Sequence, residues 1–219
     1  MSTCAEFRSR AEPIWEACFQ HPFVRAIGSG TLALPEFQRY LRQDYVFIIE
    51  YCRFLSMLQS RAPDLAAMQV LSRLTDGILR YEVELHRALA ARFGIAENEL
   101  AATEPLPTCE AYTHYLLATA ATGDFLAGFA ALLPCLWGYA EIGQRLAAAG
   151  TPAVPHYAEW IRAYADPAYQ EVSEWAKGGF DDWTRDAGAA ARERLYVPFR
   201  QASRWELRFW EMAWRGESW

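Results

Sequence analysis

Apolar positions recur along this chain at intervals of three and four, the spacing of a helix lying against a core. Period-two alternation is sustained nowhere, and Val and Ile are sparse against Ala and Leu. The pattern predicts helices throughout. A first covers residues 5–19, with Phe7, Ile14, Trp15 and Cys18 apolar, and His21-Pro22 ends it. Gly28-Ser29-Gly30-Thr31 reads as a turn. A second helix begins at Leu34-Pro35-Glu36, with proline in its first turn, and runs to about Ser60. Asp64 opens a third, stopped by Gly94 after Phe93. Residues 98–107 connect it to a fourth over 108–121, for which Thr108 is the cap. A long apolar fifth helix spans 123–149. Two shorter ones follow over 155–164 and 167–177, the latter closed by Lys177-Gly178-Gly179. Asp181 then opens a final segment to Trp214, bent before Pro198. No repeat, low-complexity tract or composition shift marks a boundary, and no connection exceeds about ten residues. The chain therefore reads as one all-α domain over 1–219, a globular multi-helix bundle without the sustained heptads of a coiled coil.

The fifth helix carries the densest candidate chemistry. Its centre reads Leu132-Leu133-Pro134-Cys135-Leu136-Trp137-Gly138-Tyr139-Ala140-Glu141-Ile142-Gly143. An internal proline removes one donor and presses on the carbonyl of Ala130, so a kink is expected there. Cys135 follows the proline, and Tyr139 lies one turn further on the same face. The thiol is either a small core hydrophobe or a placed nucleophile, and cysteine chemistry alone favours the inert role.

Two carboxylates pose a similar choice. On the second helix Asp44, Phe47 and Tyr51 share a face with Leu41, Leu55 and Leu58. An inward aspartate needs a partner, which is either a core Arg or Tyr or a polar ligand. On the last helix Glu206 shares a face with Phe209 and Trp210, and Trp205 flanks it. Aromatic surroundings disfavour the charged carboxylate, the usual route to a general acid near neutral pH. The plainer reading pairs an exposed Glu206 with Arg204 or Arg208. Tyr112 and Tyr164 are single aromatics on apolar helix faces, ordinary for core tyrosines with a backbone partner. Glu82 and His86, at i and i+4, are half of a metal site by spacing. A carboxylate-bridged di-metal bundle repeats Glu-x-x-His, and His21, His114 and His156 each lack that glutamate. The favoured reading is a Glu–His pair on a solvated helix face.

Composition narrows the classes. The 219 residues are 53% hydrophobic and 15% aromatic, with nine Trp, which points to an aromatic core or an aromatic-lined pocket. Net charge is −6 with no Lys/Arg cluster, so no nucleic-acid partner is expected. The five cysteines, at 4, 18, 52, 109 and 135, are odd in number and lack C-x-x-C spacing, which argues against a disulfide framework and a zinc site. No apolar stretch follows the N-terminal charges, and no run of about 18 apolar residues is free of charges or breakers. Neither a signal peptide nor a membrane span is expected, and the expected compartment is a reducing cytoplasm. G-x-S-x-G, H-E-x-x-H and phosphate-cradling glycine motifs do not occur.

Together these stretches resemble the TenA family, known as thiaminase II or aminopyrimidine aminohydrolase, in its branch with an active-site cysteine. The resemblance rests on His21-Pro22-Phe23-Val24 with Gly28 to Leu32, on Gln43-Asp44, and on Ala131-Leu132-Leu133-Pro134-Cys135 with Trp137, Tyr139 and Glu141-Ile142-Gly143. It continues through Trp160-Ile161 with Tyr164 and Glu206 with Phe209-Trp210 and Met212-Ala213. It implies a haem-oxygenase-like all-α fold without haem, a homotetramer, and a hydrolase needing no metal or redox cofactor. The reaction implied releases 4-amino-5-hydroxymethyl-2-methylpyrimidine from thiamin or from its aminomethylpyrimidine breakdown product. Carried across, Cys135 is the nucleophile, Glu206 the acid/base and Asp44 the holder of the aminopyrimidine edge. Tyr112, Tyr139 and Tyr164 shape the pocket. Position 47 departs from the pattern: Phe47 stands where some members carry a tyrosine whose hydroxyl reaches the cysteine. Phe47 can stack on the pyrimidine but cannot polarise a thiol, which leaves Tyr139 and the ring-protonating carboxylate for that task. The alternatives are a non-catalytic pyrimidine-binding or regulatory protein and a metal oxidase using Glu82 and His86.

Overall fold

Proline and glycine set most helix boundaries in the computed structural model, which describes residues 1–219. The elements are α1 (Thr3–Arg10), α2 (Glu12–Phe19), α3 (Pro22–Ser29), α4 (Leu34–Gln59), α5 (Leu65–Gly77), a π-helical turn (Ile78–Glu82) and α6 (Val83–Arg92). There follow α7 (Glu97–Ala101), α8 (Pro107–Thr122), α9 (Phe125–Ala149), α10 (Pro155–Ala165), α11 (Pro167–Trp183) and α12 (Ala189–Arg215). No strand is present, as the missing period-two pattern predicts. Asp64 caps α5 by accepting from the backbone of Ala67 at 2.7 Å, and Asp166 caps α11 through Ala168 at 2.8 Å.

Several boundaries differ from the sequence pattern for identifiable reasons. The stretch predicted as one helix over 5–19 breaks at Ala11, because Pro13 occupies the first turn of α2. Gly28 and Ser29 complete α3, and the turn itself is made at Gly30, whose φ of +74° closes the helix in the left-handed region. Gly178 and Gly179 do not end α11, which runs on to Trp183. Asp181 therefore opens no helix. Its carboxylate accepts from the backbone of Cys4 at 2.7 Å and serves the N-terminus of α1 instead. Residues 97–101 form α7, which takes in the first part of the connection expected over 98–107.

Contacts group the helices into two compact units. The first comprises Met1–Leu32 and Leu126–Trp210, with a core that includes Phe7, Phe129, Phe180, Phe199 and Trp210. Phe129 stacks on Phe180, their ring centroids 6.1 Å apart. In this unit Gly143 of α9 meets α10 with no room to spare: a Cβ there would lie 2.6 Å from the backbone carbon of Tyr164. The second unit comprises Ala33–Phe125 and Glu211–Trp219. Its core gathers Phe37, Tyr40, Phe54, Leu58, Leu71, Leu89 and Tyr112. Within it, Arg39 donates to the carbonyl of Ala213 at 2.8 Å and so engages one of the last carbonyls of α12.

No membrane span is expected from the sequence, because no run of about 18 apolar residues is free of charges or breakers. By length and hydropathy α9 does meet the span criterion, and 61% of its most apolar window is buried inside the protein. That burial is what a core helix requires.

Candidate active site

The first unit holds four of the candidate residues. Pro134 sits inside α9, which continues through it. Cys135 is the only cysteine of the five that is not fully buried. Burial pushes the thiols of Cys4 and Cys18 far above the ordinary cysteine range, aided at Cys4 by Asp181 and at Cys18 by the charge of Glu206. Cys109 is raised in the same way, with Asp44 contributing, and Cys52 rises to about 11 by burial and the charge of Glu82. Four of the five thiols are thus held protonated in the interior.

Tyr139, one turn beyond Cys135, is buried in an aromatic cluster. Its ring centroid lies 4.8 Å from that of Tyr164, 5.2 Å from Trp210 and 6.0 Å from Trp160. Glu206 is buried as well, so the surface-pair reading with Arg204 or Arg208 does not hold. Glu206 and Tyr139 line one small cavity together with Pro134, Gly138, Cys18 and Trp210. The volume, about 20 Å³, admits a single water. Ser203, one turn before Glu206, fixes another wall: Trp15 donates its indole N–H to the Ser203 hydroxyl at 3.0 Å, and Ser203 donates to the Phe199 carbonyl at 2.9 Å. Cys135 does not line this cavity. The cavity brings the carboxylate and a phenol together, and α9 carries the thiol one turn away.

The second unit holds Asp44, Phe47 and Tyr112, all buried. Phe47 lies 5.0 Å from Tyr112 and stacks on Tyr51 at 5.6 Å, centroid to centroid. Asp44 accepts from the Tyr40 hydroxyl at 2.9 Å and contacts His86 Nε2 at 2.7 Å. Of the two core partners expected for it, an Arg or a Tyr, a tyrosine is present. Gln43, the preceding residue, ties down the segment before α8. Its Nε2 donates to the Glu104 carbonyl at 3.1 Å, and its Oε1 accepts from Leu106 N–H at 2.8 Å.

His86 is the residue that sequence reasoning misplaced. It is buried, with Nδ1 at 2.8 Å from the Glu82 carbonyl and Nε2 on Asp44. The solvated Glu–His pair is therefore not formed, and both ring nitrogens are engaged, which leaves none to ligate a metal. The error came from helical phase, since the π turn inserts one residue that a 3.6-residue period does not anticipate. Tyr40 was legible from its i−4 spacing to Asp44.

The chain is similar in sequence and in fold to known proteins. The aminopyrimidine aminohydrolase of Halalkalibacterium halodurans is 39% identical over 222 residues, covering 100% of this chain and 98% of the relative. A solved TenA homologue from P. horikoshii OT3 superposes with a TM-score of 0.90 at 32% identity, covering 99% of this chain and 100% of that one. A domain from Shewanella denitrificans described as having a heme oxygenase-like fold shares the fold alone, with a TM-score of 0.74 at 12% identity and coverage of 98% and 96%. Residues 8–216 match the TENA/THI-4/PQQC family, and the chain belongs to it.

Proposed function

We propose that this chain is an aminopyrimidine aminohydrolase of thiamin salvage, releasing hydroxymethylpyrimidine from aminomethylpyrimidine or thiamin. The reading is carried by one observation: Cys135 alone among the cysteines escapes full burial, one helical turn from Tyr139 in the Leu-Leu-Pro-Cys run. The 39% identity to a relative of that name supports it over the full length.

In this reading Glu206 protonates a ring nitrogen of the aminopyrimidine, which makes the ring electrophilic. The Cys135 thiolate adds to the ring carbon beside the exocyclic methylene carbon. The amine or thiazole leaves from that methylene with its bonding electrons. Water adds to the methylene, and expulsion of the thiolate restores the aromatic ring and the free nucleophile. Two low barriers replace one high one. Asp44 accepts from the aminopyrimidine edge. Phe47 supplies a stacking face, and Tyr112, Tyr139 and Tyr164 shape and hydrogen-bond the site. Because position 47 has no hydroxyl, thiol activation falls to Tyr139 and the carboxylate. No metal or redox cofactor takes part in this scheme.

The same proposal includes assembly as a homotetramer in the cytoplasm. Leu65, Leu79 and Tyr81 on α5 and the π turn expose 68%, 51% and 75% of their surface, and Met68 lies partly exposed beside them. That apolar surface suits an interface between copies. Five free thiols suit a reducing compartment. The test is chromatographic. Purified protein is incubated in parallel with thiamin, aminomethylpyrimidine and formylaminomethylpyrimidine, and hydroxymethylpyrimidine is quantified. Catalytic release from at least the first or second is expected. Binding of these compounds without any release would leave a pyrimidine-binding protein and defeat the proposal.

A further inference from the structure

The π turn has a consequence for Asp44. Along α5, the π turn and α6 the buried positions are Ala67, Leu71 and Ile78, then Val83, His86, Leu89 and Ala90. On either side of the turn they follow the α-helical repeat, but from Ile78 to Val83 the step is five. Val83 N–H bonds the carbonyl of Ile78 at that same spacing. The inserted residue rotates the following helix by about 100° and brings His86 inward, where it reaches Asp44. Single π turns of this kind recur at functional sites.

The Glu82 carbonyl can only accept, so His86 Nδ1 donates to it, and Nε2 is within hydrogen-bond reach of the Asp44 carboxyl. Burial works against an imidazolium there. The hydrogen bond and charge of Asp44, joined by the charge and carbonyl of Glu82, outweigh it and hold the His86 pKa above the ordinary histidine value. Asp44 Oδ2 receives both His86 and Tyr40, whereas Oδ1 receives no hydrogen bond from the protein. Asp44 is only 3% exposed, so an open carboxylate oxygen there points to a ligand.

We propose that His86, carried inward by the π turn, is a positioning residue that holds Asp44 by Oδ2 and presents Oδ1 to the exocyclic amino group of the pyrimidine. The proposal rests on the assignment of Asp44 to the aminopyrimidine edge. Glutamine and asparagine at position 86 separate positioning from mere structure. A glutamine amide reaches where Nε2 contacts Asp44, and an asparagine amide reaches only where Nδ1 contacts the Glu82 carbonyl.

The experiment is calorimetric titration with hydroxymethylpyrimidine of the full-length wild type, Asp44→Ala, His86→Gln and His86→Asn. Asp44→Ala and His86→Asn are expected to weaken binding about tenfold or more, and His86→Gln to stay within about threefold of wild type. If Asp44→Ala binds as wild type, the assignment of Asp44 fails and the proposal with it. If Asp44→Ala binds weakly but the two His86 variants bind alike, the proposal alone is overturned. A measurement on the wild type is independent of how the variants fold. In ¹⁵N-histidine NMR at pH 7 both ring nitrogens of His86 are expected to be protonated, and a neutral single tautomer overturns the proposal.

Discussion

Five cysteines occupy this chain, and burial separates Cys135 from the other four. Cys4, Cys18, Cys52 and Cys109 are shielded from reagents and held protonated. A thiol-specific reagent at neutral pH is therefore expected to label one cysteine per native chain quickly. Mass mapping should place the label on Cys135, and Cys135→Ala should abolish the fast phase. A fast phase that survives in the variant would contradict the assignment. Glu206 offers a kinetic test of its own. Replacing a general acid by an amide of the same shape removes the proton but keeps the volume. Glu206→Gln should lower kcat by about 10²–10⁴ while changing KM much less, and an unaltered kcat would remove the acid/base role. Cys135, Glu206 and Asp44 were legible in the sequence because each breaks a rule of its surroundings: a thiol after a mid-helix proline, and carboxylates on apolar stripes. His86 was not legible, because its inward orientation depends on a turn of non-standard pitch.

Among the elements, α9 is constrained most tightly. Its proline, thiol and phenol are presented on one helix, and Gly143 lets the backbone of α10 approach so that Tyr164 meets Tyr139. A methyl group at 143 would collide with backbone atoms of Tyr164 and Ala165 at 2.6 and 2.8 Å, and backbone cannot swing aside as a flexible side chain can. Gly143→Ala should cost about 1–3 kcal/mol by overpacking, a loss of several degrees in Tm at this chain length. Gly178 in α11 is the control, since a Cβ there meets nothing within 4 Å. Gly178→Ala should stabilise by about 0.5–1 kcal/mol through helix propensity. Equal melting temperatures for the two variants would contradict the close-approach account. Element type was readable from the sequence nearly everywhere, because a 3.6-residue period over long segments leaves little ambiguity. Boundaries were less so. Gly178 and Gly179 were mistaken for a stop although tertiary packing carries α11 through them, and Pro13 was overlooked as the start of α2.

For the whole molecule, membership of the TENA/THI-4/PQQC family accounts for the all-α architecture and for the order in which the marked stretches occur along the chain. Assembly was not readable from periodicity, since apolar side chains on α5 satisfy the same helical pattern whether they face a core or another subunit. If Leu65, Leu79 and Tyr81 cover an interface, sedimentation should report four chains for the wild type and smaller species for Leu65→Glu with Leu79→Glu. An unchanged tetramer in that double variant would place the interface elsewhere. The central claim is that this fold hydrolyses aminopyrimidines through Cys135. Its most direct test is the steady-state rate of hydroxymethylpyrimidine release from aminomethylpyrimidine by wild type and Cys135→Ala, on preparations with matching melting curves. The account predicts release by the wild type and a loss of at least about 10³-fold in the variant, the scale seen when a covalent nucleophile is removed. Equal rates for the two proteins would contradict it.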